Sequence, residues 1–189
     1  MKTEHALARV LKEMMSNQPL DTISVMEISN KCGVSRKTFY YHYHDIYDLL
    51  TQVFLNEKIP NANACENYDQ LIETIWKYYK NNEQFINATL NSAGKDLFSE
   101  FIFNVFYTST IKFLNRYESS KNISIGAKKS IARFYASGYS NSLVYYLSNY
   151  KNKSLNGLKE CFAFVNNSNL QKSLQKVDGG EKNEQWIQF

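Results

Sequence analysis

The sequence predicts an all-α protein: a small N-terminal unit of short helices followed by a larger helical bundle, about nine helices in total. Three observations predict it. Apolar residues recur at three- and four-residue spacing along most of the chain, and no stretch alternates as a strand would. Only two prolines and seven glycines interrupt 189 residues, too few for a many-turned β protein. The breaks in the periodicity coincide with helix-capping residues, among them Ser24, Ser35, Asp45 and Ser154.

Leu7, Val10, Leu11, Met14 and Met15 set a first helix over residues 3–17, broken at Asn17-Gln18-Pro19-Leu20-Asp21. Ser24 followed by Glu27 is a capping box opening a short second helix, with Val25 and Ile28 on its inner face. Gly33 ends that helix, and Ser35 caps a third, Arg36 to Tyr43. Asp45 with Asp48 repeats the capping pattern and opens a fourth, whose apolar stripe is Ile46, Leu49, Leu50, Val53 and Phe54. Pro60, at the head of the polar stretch Asn61–Asn67, bounds this unit. Further helices are expected near 68–81, 83–92, 95–116, 125–149 and 154–167. After about Gln171 the apolar period fades. The expected division is therefore residues 1–59, 60–176 and a flexible tail at 177–189.

Composition narrows the function classes. A net charge of +4 excludes a polybasic coat. The charges of residues 1–50 balance, yet Lys31–His44 contains Lys31, Arg36 and Lys37 and no acid. That local positive potential is what docking on phosphates requires. Cys32, Cys65 and Cys161 are scattered, odd in number and free of CxxC spacing, which speaks against a disulfide framework or a zinc site and for a reducing compartment. The opening MKTEHALARV does not read as a signal peptide, and no apolar run is long enough to span a bilayer, so a cytoplasmic protein with no membrane partner is expected. All three histidines (His5, His42, His44) lie near the N-terminus, and no P-loop, GxSxG, HExxH or paired-carboxylate motif occurs. No catalysis, metal or cofactor is expected.

The stretch from Ser24 to Tyr43 carries the functional reading. Two short capped helices joined by Gly33-Val34-Ser35 make a helix-turn-helix, with glycine at the turn because positive φ is cheap without a Cβ. Phe39 and Tyr43, four apart, should face inward with Ile28 and Leu11. That leaves Arg36, Lys37, Tyr40, Tyr41 and His44 outward on the recognition helix. Arg36 and Lys37 can donate to guanine O6 and N7 in a major groove. The hydroxyls of Ser35 and Thr38, together with Tyr40 and His42, suit phosphate oxygens.

Ser24-Val25-x-x-Ile28, Gly33-Val34-Ser35 and Thr38-Phe39-Tyr40-x-His42-Tyr43 together resemble the N-terminal signature of the TetR/AcrR regulators. The resemblance covers about the first 55 residues. It implies phosphate contacts from Ser24, Thr38, Tyr40 and His42, and base reading by Arg36, Lys37 and Tyr41. It also marks a departure: the family places a phosphate-binding lysine where this chain has Ile46. One contact is then missing, unless His44 or Lys2 compensates. Further on, Trp76-x-x-Tyr79 and Ala132-Arg133-Phe134-Tyr135-Ala136-x-Gly138 resemble the sub-group that includes dihydroxyacetone-kinase regulators.

The expected function is thus a sequence-specific regulator of transcription on a palindromic double-stranded operator, a repressor released by a small effector. The alternative is a co-regulator of the same shape that acts through a partner protein and binds DNA weakly or not at all. A homodimer is expected through the helices near 125–149 and 154–167. Ala132, Ala136 and Ser140, four apart, would let helix axes approach, and Leu155, Leu158, Phe162 and Val165 line the next helix. Aromatic residues concentrate in the middle helices, and Trp76, Tyr79, Phe101, Tyr107 and Tyr135 are the candidate lining of an effector pocket. Few charges fall on those stripes, which favours a neutral or aromatic effector.

Overall fold

The structure is a computed structural model that describes residues 2–117, 123–163 and 167–180. Its described residues form ten α-helices and two 3-10 turns and no strand: α1 Lys2–Met15, α2 Val25–Lys31, α3 Arg36–His42, α4 Ile46–Asn56, α5 Tyr68–Asn81, α6 Glu83–Leu90, α7 Lys95–Leu114, α8 Ile125–Asn149, α9 Leu155–Cys161 and α10 Asn167–Gly180. They gather into two compact units. One comprises residues 1–59 and 77–101, the other 60–76 and 102–189.

The first unit is built on α1, which packs against α2, α4 and α6. Its predicted stripe is its buried face: Leu7, Leu11 and Met15 are fully enclosed, beside Ile28, Phe39, Leu49 and Leu50. Phe54 of α4 meets three rings, those of Phe85, Phe98 and Phe101, at centroid distances of 5.6, 6.0 and 5.6 Å. Aromatic groups at such distances add to what area burial alone supplies. At the rim, Lys12 Nζ donates to both carboxylate oxygens of Glu57 (2.9 and 3.0 Å) and lies 5.2 Å from the centre of the Phe85 ring. Residues 77–101 are therefore part of this unit's core.

The second unit centres on α8. Tyr139 stacks on Tyr68 at 4.3 Å and on Phe106 at 5.1 Å, with Phe162 at 4.9 Å. The Tyr68 hydroxyl shares a 2.7 Å hydrogen bond with that of Thr110. Burial pushes the Tyr68 and Tyr139 phenols well above their ordinary range, so both stay neutral. Tyr146 ties the end of α8 to the start of α9: its hydroxyl accepts from the Ser154 N–H (3.0 Å) and donates to the Ser154 carbonyl (3.1 Å). A Cβ on Gly157 would stand 2.5 Å from that oxygen. Gly157→Ala should accordingly cost about 1–3 kcal/mol by breaking this link. A thermal melt that overlays the unaltered protein's would contradict this account.

The element boundaries depart from expectation in one region. The helix expected over 154–167 ends at Cys161, and the chain forms another helix, α10, where periodicity had faded. Leu170 and Leu174, one turn apart, are fully buried, and the Ser173 hydroxyl bonds that of Tyr135 at 2.9 Å. Two leucines and one serine on a single face suffice because α8 lies beside them, and a sequence window sees only the polar residues between. The first four positions of the expected tail, 177–180, continue this helix. Its remainder, with Val165, lies outside the described residues.

Candidate nucleic-acid interface

The recognition helix α3 is short, so its ends and its inner face fix it. Gly33 has φ of 65°, the left-handed conformation the turn requires, and the Val34 N–H donates to the Ser29 carbonyl at 3.0 Å. Ser35 Oγ accepts from the Thr38 N–H at 3.1 Å, capping the helix. Phe39 is fully buried and Tyr43 nearly so, which anchors one face. The opposite face is open: Arg36, Lys37, Tyr40, Tyr41 and His44 are all exposed, Tyr41 to 84%. The next helix is capped reciprocally, with Asp45 accepting from the Asp48 N–H (2.8 Å) and Asp48 from the His44 N–H (3.0 Å).

An exposed Arg-Lys pair with two exposed tyrosines on a rigid, capped helix has the chemistry to read base edges and grip phosphates. The nine expected contact residues fall on α3, its cap and its flanks, with Ser24 at the start of α2. Two of them face a carboxylate. Ser24 donates its hydroxyl to Glu27 Oε2 (2.7 Å) and accepts from the Glu27 N–H, closing the predicted capping box. That hydroxyl and the Ser24 amide together hold the Glu27 carboxyl below the usual carboxylate range. His42 Nδ1 faces Glu4 Oε1 at 3.5 Å. The hydroxyls of Ser35 and Thr38 share a 2.9 Å hydrogen bond. Ile46, where the resemblance implies a lysine, is half-buried at the first position of α4.

Sequence reasoning missed the contacts that brace this face. Tyr47, beside Ile46, donates its hydroxyl to Asp21 Oδ1 at 2.8 Å and ties the chain before α2 to the start of α4. The Lys12–Glu57 and His42–Glu4 pairs are likewise long-range in sequence. No local pattern signals such pairings. The residues are ordinary surface types until the fold sets them side by side.

The five effector-pocket candidates divide between the units. Tyr79 and Phe101 belong to the first: Tyr79 is buried with its hydroxyl near Glu83 and Asn87 (3.2 and 3.3 Å), and Phe101 packs on Phe54 and Tyr78. Trp76, Tyr107 and Tyr135 belong to the second. Trp76 is half-buried, and Tyr135 stacks on Tyr68 at 6.2 Å. Tyr107 lines a cavity of about 370 Å³ at the end of α7 and the start of α8. The small-residue row of α8 faces inward, contrary to its expected place at a seam between subunits. Ala132, Ala136 and Ser140 are buried within the chain, and so are Leu158 and Phe162 of the next segment. They are enclosed by the chain itself. The outward face of α8 carries Ser130, Phe134, Gly138, Asn141 and Tyr145, with Phe134 exposed to 77% and Tyr145 to 63%.

Described residues that are all helical or irregular, with a braced helix-turn-helix in one unit and a second helical unit, have the architecture of a regulator of transcription. The family model for the TetR-type transcriptional regulator C-terminal region matches residues 66–163, just over half of the chain. This chain belongs to the TetR family of transcriptional regulators. Its fold is similar to that of the dihydroxyacetone kinase operon activator DhaS, with a TM-score of 0.58 at 17% identity over 93% of this chain and 96% of that one. No curated protein sequence matches it significantly. Among the described residues no helix is long and apolar enough to cross a membrane.

Proposed function

We propose that this chain is a cytoplasmic, homodimeric, sequence-specific DNA-binding regulator that represses transcription until a small effector releases it. The observation that carries the reading is the outward face of α3. Arg36, Lys37 and Tyr41 stand exposed on a helix whose inner side is locked by Phe39, with no acid on it. In this reading they meet base edges, while Ser35, Thr38, Tyr40 and His44 grip phosphates and set register. Ser24 and His42 join them once Glu27 and Glu4 yield. Residues 1–59 supply the reader, with 77–101 completing its core, and the rest of 60–176 supplies the dimer and effector functions.

One seven-residue helix reads too few base pairs for a unique site, so a two-fold dimer on a palindrome follows, with half-sites about 34–36 Å or a multiple apart. The exposed α8 face around Phe134, Gly138 and Tyr145 supplies a self-complementary surface for that dimer, with α9 beside it. A neutral or aromatic effector held by the middle helices would shift α4 and change the spacing of the two recognition helices. Whether the bound dimer blocks or assists polymerase depends on where the operator lies.

Sequencing the DNA retained by the purified protein tests the reading: an enriched palindrome supports it. A second reading, a co-regulator acting through a partner protein, draws on the carboxylates beside Ser24 and His42 and on Ile46. It gains if no site is enriched. Ile46 also gives a quantitative check. Ile46→Lys should restore one phosphate contact and steepen the dependence of log affinity on log salt by about 0.9. An unchanged slope in a fluorescence-anisotropy salt series would show that this position does not face the DNA backbone.

A further inference from the structure

The cavity at the end of α7 has a chemistry that the sequence stripes did not suggest. Tyr107, Thr108 and Ile111 on α7 and Ile125 on α8 present carbon surface, while Asn115, Lys128 and Lys129 stand at the edge. The Tyr107 ring is held flat by stacking on Phe103, one turn earlier, at 6.0 Å and 16°. Ile125 is left 73% exposed, an apolar side chain at the mouth with nothing described over it. No acid lines the cavity. Two neighbouring cations are engaged elsewhere: Lys112 with the Asn63 carbonyl and Arg116 with Glu66. Lys128 donates to Asn115 Oδ1 at 3.2 Å, which leaves its ammonium with donors to spare, and Lys129 is exposed.

We propose that this cavity binds a small amphipathic carboxylate, an aryl or medium-chain alkyl acid. Its apolar body lies on Tyr107, Ile111 and Ile125, and its carboxylate sits between Lys128 and Lys129. A volume of about 370 Å³ suits a ligand of that size. The two lysines supply what a neutral site lacks, because charge-assisted hydrogen bonds fix the acid end while carbon burial supplies the rest of the affinity. The proposal departs from the neutral effector expected of the middle helices, and it stands whether or not the chain reads an operator.

Calorimetric titration of the full-length protein with octanoate and phenylpropanoate, each paired with its amide, tests it. Both acids should bind with submillimolar affinity and both amides at least about tenfold more weakly. Lys128→Gln combined with Lys129→Gln should weaken acid binding by about tenfold or more. Thr108→Trp, which fills the mouth without altering charge, should abolish it. Acid and amide binding alike, or the lysine double variant binding as the unaltered protein does, overturns the proposal. So does inorganic phosphate binding as tightly as octanoate, which would reduce the site to a bare cationic patch. Absence of heat with either acid, including the case where phosphatidylglycerol vesicles alone bind, overturns it as well.

Discussion

Replacing Arg36 and Lys37 together by alanine should abolish operator binding while leaving the fold intact. Each bidentate contact to a base edge carries about 1–3 kcal/mol of discrimination. Two lost contacts therefore lower affinity by about thirtyfold at least. Both side chains are exposed on α3, and alanine is the best helix former, so the helix itself should persist. The measurement is a gel shift on the operator recovered with the unaltered protein, alongside circular dichroism of the variant. A variant that keeps its helicity and loses the shifted band supports direct reading. Undiminished promoter occupancy would instead assign recognition to a partner protein.

Phe134→Glu with Tyr145→Glu should leave the protein monomeric where the proposed α8 interface would otherwise make it a dimer. Both side chains protrude from α8 into solvent in the single chain, so neither change should disturb its core. In a two-fold interface every substitution counts twice. Losing a buried aromatic removes about 1.5–3 kcal/mol, and burying an unpaired carboxylate adds several more. Sedimentation velocity at micromolar concentration reads the result directly. Operator affinity should fall with it, because each half-site alone is too short to hold one reader. A variant that stays dimeric places the interface on another surface.

The reading unit was legible because its determinants are local. Ser24 with Glu27, Gly33 with Ser35, and Asp45 with Asp48 each act within four residues, and each forms the cap or turn expected of it. The inward and outward faces of α3 followed from the spacing of Phe39 and Tyr43. Behind that unit, legibility fell where meaning depends on which neighbour arrives. Ala132, Ala136 and Ser140 make the same pattern whether the close partner is a second subunit or the chain itself, and the fold chose the chain. The aromatic stripes gave no way to tell a lined hollow from a filled core. Tyr139, stacked between Tyr68 and Phe106, shows filling at the centre of the second unit. The hollow that Lys128 and Lys129 border was invisible because it needs the end of α7 brought to the start of α8.

The three rings around Phe54 limit how this protein can be taken apart. A fragment stopping at residue 59 would strip Phe85, Phe98 and Phe101 from Phe54 and lift the Phe85 ring from Lys12. Its helix-turn-helix would retain every side chain expected to face DNA, yet lack part of the interior that holds those side chains in place. The head of this regulator is thus not a detachable cartridge. Anyone recombining it with a foreign sensing domain must carry residues 77–101 along as a graft, and natural shuffling would meet the same constraint.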